Sequence, residues 1–332
     1  MKILPWQVEP WRRLINAAQQ GRLAHGLLIT GPDGVGRQEF ARCLAARVLC
    51  ESPPPDGVAC GQCRSCILFQ AGNHPDLARV GPEEDSDQIK IESIRSFIDF
   101  SHLSSQYGRY KVALIDPADA MNRHAANTLL KTLEEPPAGS LFMLVTHRPA
   151  LLPATVRSRC QVVELSGSRS PETERWVAER LGPSQYPASE LLFLARGAPL
   201  RAVEMAASGS IEKQQEVLRD LQELRRRPFD PVAVAKRWSA IGVEPVLQWL
   251  LAFLGEMARL KLQPPADGVG IPSFQRILQP LADELDLQQL TSCYEVVLRN
   301  YRGATGLISL NSQALLEEVI IQWQETGRQT RG

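Results

Sequence analysis

Two groups of residues in the first part of the chain have the types and spacing to do chemistry. The first is "ITGPDGVGRQEF", residues 29–40. It approaches the phosphate-binding pattern G-x-x-x-x-G-K-[ST]. In a working loop, backbone N–H groups cradle phosphates at a helix N-terminus, the Lys reaches the terminal phosphates, and the hydroxyl holds Mg²⁺. Gly31 and Gly36 are in place, but Arg37 and Gln38 stand where Lys and Ser or Thr belong. A planar guanidinium does not replace an ammonium geometrically, and the Gln38 amide offers no hydroxyl. Further on, "KVALIDPAD" ends an apolar run in Asp116, which suits a magnesium ligand acting through water. The next position, where a Glu would polarise the attacking water, is Pro117. Two losses at separate steps of one mechanism agree with each other. ATP with Mg²⁺ is therefore not expected to be hydrolysed, and the loop reads as a glycine-rich turn kept for packing. Nucleotide binding without hydrolysis stays open.

The second group is Cys50, Cys60, Cys63 and Cys66, a C-x9-C-x2-C-x2-C set around "CGQCRSC". Four thiolates can surround Zn²⁺ tetrahedrally, and two-residue gaps let backbone N–H groups turn toward the sulfurs. With all four positions filled by Cys, such a metal is structural. An iron–sulfur cluster, a disulfide pair or free thiols are the alternatives; zinc is the expected occupant.

These residues must be positioned by regular elements. "HGLLIT", "KVALID" and "LFMLVT" are short aliphatic runs that suit parallel strands buried on both faces. Amphipathic stretches lie between them, "QEFARCLAARVLC" and "ANTLLKTLEE"; in the latter Leu129, Leu130 and Leu133 share a face, and Pro136 and Pro137 stop the helix. Strand, helix, strand in repetition predicts an α/β core with a parallel sheet. After "CQVVEL", the stretch "SGSRSPE" reads as a linker with Pro171 in the first turn of the next helix. Two or three short helices follow, then the long helix "IEKQQEVLRDLQELRRR" and three or four more up to Trp323.

Composition narrows the classes. Of 332 residues, 44% are hydrophobic, and Lys+Arg and Asp+Glu both number 37. That balance argues against a strongly basic nucleic-acid coat. The opening "MKILPWQVEPWRRL" lacks the apolar core of a signal peptide. The most apolar stretch, 246–260, falls short of the roughly 20 residues that span a bilayer and reads as a buried helix. No membrane association and a cytoplasmic location are the expectation.

"NTLLKTLEEPP" (127–137) and "LFMLVTHRPALLPATVRSRCQVVEL" (141–165) resemble the bacterial DNA polymerase III clamp-loader family of the AAA+ class. The cysteine insert resembles that of the family's gamma/tau motor subunit and of its ATP-inactive subunit, and the damaged phosphate loop resembles the latter. The likeness is close over 5–165 and looser beyond, where "ARGAPLRAV" and "LNSQALLEEVIIQW" carry it. It implies an AAA+ core with a zinc-binding insertion at 50–66 (residues 1–166), a small helical lid (167–208) and an all-α collar for oligomerisation (209–332). It also implies partners: gamma/tau and delta subunits in a hetero-pentameric ring, the beta sliding clamp, and primed template DNA, all within the DNA polymerase III holoenzyme. In "SRC", Ser158, Arg159 and Cys160, the resemblance makes Arg159 an arginine finger offered in trans to a neighbouring ATP site, with Arg157 ranked below it. Thr146 matches sensor 1. Arg201 sits one residue late for sensor 2, about 100° around a helix. A weakly active ATPase of the gamma/tau type is the alternative.

Overall fold

The computed structural model describes residues 1–55, 57–83, 86–108, 110–184, 186–226, 230–262, 272–305 and 311–328. The expected helix end at 227–229, the first residue of "LNSQALLEEVIIQW" and the last four of the expected collar lie outside the described residues.

The chain divides into two compact units, one of residues 1–180 with 195–202, the other of 181–194 with 203–332. The first contains α1 (Val8–Gln19), β1 (Gly26–Thr30), α2 (Arg37–Leu49), α3 (Arg64–Gln70), β2 (Leu77–Val80), α4 (Ile91–His102), β3 (Lys111–Ile115), α5 (Arg123–Glu134), β4 (Ser140–Thr146), α6 (Ala154–Arg157) and β5 (Gln161–Glu164). Nearly all of α7 (Pro171–Leu181) also belongs to it. The five strands form one parallel sheet in the order β2-β3-β4-β1-β5. β1, β3 and β4 are buried along their whole length, which is why their sequences are continuous aliphatic runs without alternation. Leu28, Ile115, Phe142 and Leu144 face a core shared with Ile94 and Phe97 of α4 and with Leu129 and Leu133 of α5. α2 packs on β1, β3 and β4 with Phe40, Ala41 and Leu44 fully buried. α5 ends at Glu134, just before the two prolines expected to stop it, and α7 begins at Pro171.

The second unit is helical, with α8 (Ala188–Leu194), the end of α9 (Pro199–Ala207), α10 (Ser210–Arg226), α11 (Pro231–Ile241), α12 (Val243–Leu262), α13 (Pro272–Glu284), α14 (Leu287–Ala304) and α15 (Ser312–Arg328). Its core gathers Trp238, Val246, Met257, Leu316 and Ile320. The stretch 246–260 forms most of α12 and is largely buried, as its composition suggests. No single helix among the described residues is long and apolar enough to cross a membrane. Among the described residues five helices follow α10 rather than three or four. Gly242 alone separates α11 from α12, and so short a break leaves almost no trace in the apolar pattern. β2 was also not foreseen: "LARV" is short, partly exposed and carries Arg79.

Candidate functional site

The carboxyl ends of β1, β3 and β4 bring Gly31, Asp116 and Thr146 to one edge of the sheet, where α/β proteins of this topology bind ligands. Gly31 and Gly36 bracket a turn that runs straight into α2. The polar groups of this loop are engaged with one another. Arg37 folds back on the turn: Nη1 donates to the Gly31 carbonyl and Nη2 to Asp33 Oδ1 at 2.6 Å. Burial pushes the Asp33 carboxyl up, but the Arg37 hydrogen bond and nearby positive charge outweigh it and hold the group below the usual range. Burial raises the Asp116 carboxyl, against the lowering influence of the nearby Gln38 amide and Arg37 charge. Pro117 follows, with no proton to move. Thr146 Oγ1 donates to Asp119 Oδ1 and accepts the Arg148 N–H at 2.9 Å.

The loop is also covered from two sides. Trp6 Nε1 donates to the Val35 carbonyl at 2.9 Å, and Gln7 Nε2 reaches the Val35 and Gly36 carbonyls at 2.8 and 3.0 Å. On the other side the Leu200 N–H donates to the Gly34 carbonyl at 3.0 Å. Gly34 has φ +81°, and a Cβ there would lie 2.5 Å from Arg201 Cβ and 2.7 Å from its backbone nitrogen. Arg201 therefore meets the phosphate loop through its backbone and Cβ.

The four cysteines converge. Cys50 caps the end of α2, Cys63 caps the start of α3, and Cys66 lies within α3. Their sulfurs all lie within 4.8 Å of one another, with Cys60–Cys66 at 3.8 Å and Cys50–Cys63 at 4.0 Å. A tetrahedral ion with bonds of ~2.3 Å sets its sulfurs about 3.8 Å apart, so the cluster could hold a metal ion and is compatible with structural zinc. The sulfurs are too far apart for a disulfide, ~2.05 Å, and too close for a cluster in which each holds a different iron. Backbone N–H groups of Cys60, Cys63 and Cys66 point at the sulfurs of Cys50, Cys60 and Cys63 at 3.3–3.4 Å. As thiols, Cys60 is held down to about 6 by the Gln62 and Cys63 N–H groups, while burial pushes Cys50 and Cys66 up. α2, at 13 residues, puts about 20 Å between this cluster and the phosphate loop, so a metal here does not serve that loop. Behind the cluster, the buried His74 donates through Nε2 to Ser65 Oγ (2.8 Å), which donates to the Leu49 carbonyl (2.6 Å), and His74 Nδ1 accepts the Asp76 N–H (3.0 Å). Only the neutral Nε2–H tautomer meets all three demands.

Arg159 stands between α6 and β5 at the opposite end of β1 from the phosphate loop. Its Nη1 donates to the Thr155 carbonyl at 2.8 Å and reaches Ser158 Oγ at 3.4 Å, and Nη2 pairs with Glu134. Arg157 and Ser158 are exposed and Cys160 is buried, its thiol pushed up to about 11 by burial. Trp6, Gln7, Asp33 and Glu134 escaped the sequence reading. Their partners are set by contacts remote in the chain, or by a carboxylate in a motif whose other residues drew the eye.

The sequence matches the family model "DNA polymerase III, delta subunit" over residues 6–169 and its C-terminal companion over 208–325. It is 32% identical to the DNA polymerase III subunit delta' of Pseudomonas aeruginosa over 324 residues, covering 97% of both chains. It is 30% identical to that of Yersinia pestis, covering 98% of this chain and 96% of the relative. It also matches subunit tau of Escherichia coli at 38% over 86% of this chain, spanning 48% of tau. Among solved structures, a gamma subunit-related protein from Thermotoga maritima aligns over 97% of this chain and 100% of its own with a TM-score of 0.44 at 22% identity. With 30–32% identity to delta' subunits over nearly the whole of both chains, the chain belongs to the family of delta-prime subunits of the DNA polymerase III clamp loader.

Proposed function

We propose that this chain is the nucleotide-inactive member of a cytoplasmic clamp-loader ring, joining gamma/tau and delta subunits in a hetero-pentamer that places the beta sliding clamp on primed DNA. The three-part division into core, lid at 167–208 and collar from 209 belongs to the same reading. The observation that carries it is the way the phosphate loop closes on itself, with Arg37 Nη1 on the Gly31 carbonyl and Nη2 on Asp33. Gln38 offers no hydroxyl to a nucleotide's magnesium, and the one cation of the motif is spent within the turn.

What the chain supplies is Arg159, offered to the ATP site of a gamma/tau neighbour, with Ser158 beside its guanidinium. A fixed guanidinium offsets charge that develops on the transferring phosphoryl group, an effect worth about 10³–10⁵ in rate in such systems. Cys50, Cys60, Cys63 and Cys66 would hold one Zn²⁺, which fixes the 50–66 insertion between α2 and α3 and takes no part in the reaction.

The test is ATP turnover by the reconstituted loader, stimulated by clamp and primed DNA, with the wild-type chain or Arg159→Ala, and this chain alone as the blank. A silent blank and a loss of at least tenfold with Arg159→Ala in an assembled ring are expected. Turnover in the blank would instead favour an ATPase of the gamma/tau type, and full turnover with Arg159→Ala would end the finger assignment.

A further inference from the structure

In the free chain the Arg159 guanidinium is already occupied. One terminal nitrogen donates to the Thr155 carbonyl, the other pairs with Glu134, the last residue of α5. Glu134 brings a full negative charge, and the carbonyl end of α5 adds the negative pole of the helix dipole. The corner is built for this approach. Gly26 opens β1 beneath it, where a Cβ would lie 3.2 Å from the Arg159 carbonyl and 3.4 Å from the Leu133 side chain. The Leu133 carbonyl is itself tied to His25 Nε2 at 3.0 Å, so the end of α5 is held against the Arg159 backbone. The pair is nevertheless open to water, with side-chain exposures of 33% for Arg159 and 47% for Glu134.

We propose that Glu134 parks Arg159, competing with the phosphates of a neighbouring subunit's nucleotide for the same guanidinium. This rests on the function proposed above and adds its regulation. A guanidinium whose terminal nitrogens are held by a carbonyl and a carboxylate cannot present the same edge to a phosphate. A solvent-exposed pair is weak enough to be exchanged without unfolding anything, and a polyphosphate carries more charge than one carboxylate. Glu134 is thus a positioning residue: it keeps the arginine at home until an occupied neighbour outbids it, and so suppresses turnover at low ATP.

Four loaders decide the matter: wild type, Glu134→Gln, Arg159→Ala and the double variant, each assayed for turnover against ATP concentration without DNA. Glu134→Gln is expected to lower KM about two- to fivefold, the range exposed ion pairs span, with kcat unchanged, and the double variant is expected to match Arg159→Ala. In the free chain, Glu134→Gln is expected to speed phenylglyoxal modification of Arg159, mapped by mass spectrometry, by a similar factor. A fall in kcat with Glu134→Gln would mean that Glu134 orients the arginine rather than restrains it, overturning the proposal. So would an unchanged KM, or an effect that persists without Arg159. If Arg159→Ala leaves turnover intact while Glu134→Gln still speeds modification, the ion pair exists but the finger reading has failed. Unchanged modification with a working finger removes the parking role alone.

Discussion

Arg37 and Gln38 stand where the phosphate-loop pattern has an ammonium and a hydroxyl, and groups outside the motif also bind the loop: Trp6 and Gln7 on one side and the Leu200 N–H on the other. Arg37→Lys combined with Gln38→Thr restores the motif's letters and leaves these in place, with Pro117 still unable to orient water. The double variant alone is expected to show no ATP turnover above the wild-type chain. Measurable turnover would show that two side chains, and not the closure, keep the site silent. Gly34 tests the closure itself. At φ +81° an Ala pays the left-handed penalty of about 1–2 kcal/mol, and its Cβ must also displace the Arg201 backbone, which lies 2.7 Å away. Gly34→Ala is expected to lower unfolding free energy by on the order of 2 kcal/mol in a denaturant titration. A neutral result would mean that the start of α9 sits only loosely on the loop.

At the scale of elements, the buried pair of Asp76 and Lys111 ties the start of β2 to β3 and to the loop after α4. Lys111 Nζ lies 3.3 Å from Asp76 Oδ1 and 4.5 Å from the centre of the Phe100 ring. Burial alone would push the Asp76 carboxyl up, but it accepts the Gln106 and Tyr107 N–H groups, the Ser105 hydroxyl and Lys111, which together hold it below its ordinary 3.8. Folding therefore favours the ionised form. That stabilisation is complete above pH ~4 and is lost as pH falls through the lowered folded value. Asp76→Asn leaves the Lys111 charge buried without its counterion and is expected to cost about 3–5 kcal/mol at pH 7, the gap to wild type narrowing in acid. Equal urea midpoints at pH 7 would refute this. The sequence made the sheet's middle strands legible because both faces are buried and the residues are aliphatic throughout. The edge strand β2 was not legible, since half-exposure mixes Arg79 into four residues. The same divide runs through the site. Cysteine spacing and loop letters are local and could be read, whereas the grip of Gln7 on Val35, or of Glu134 on Arg159, depends on folding that brings distant positions together.

At the scale of the whole molecule, the two units have separate apolar cores, one around Leu28, Phe97 and Leu129 and the other around Trp238, Met257 and Ile320. The cysteine cluster belongs to the first alone. It joins the end of α2 to α3, and through Ser65 and His74 it reaches the backbone at Asp76, directly before β2. A metal bound to the native fold adds its binding free energy to the unit that holds it. Stripping it with a chelator is therefore expected to release one zinc per chain and to lower the unfolding temperature of the sheet unit, with new protease cleavage in 51–62. The helical unit has no metal ligand in the cluster, so its transition is expected to stay where it was. Scanning calorimetry with and without chelator, beside Cys63→Ser, measures both transitions at once. A shift of the two together would mean that they unfold as one cooperative body. No shift with zinc released would mean that the sulfurs hold the ion without contributing to the fold around them.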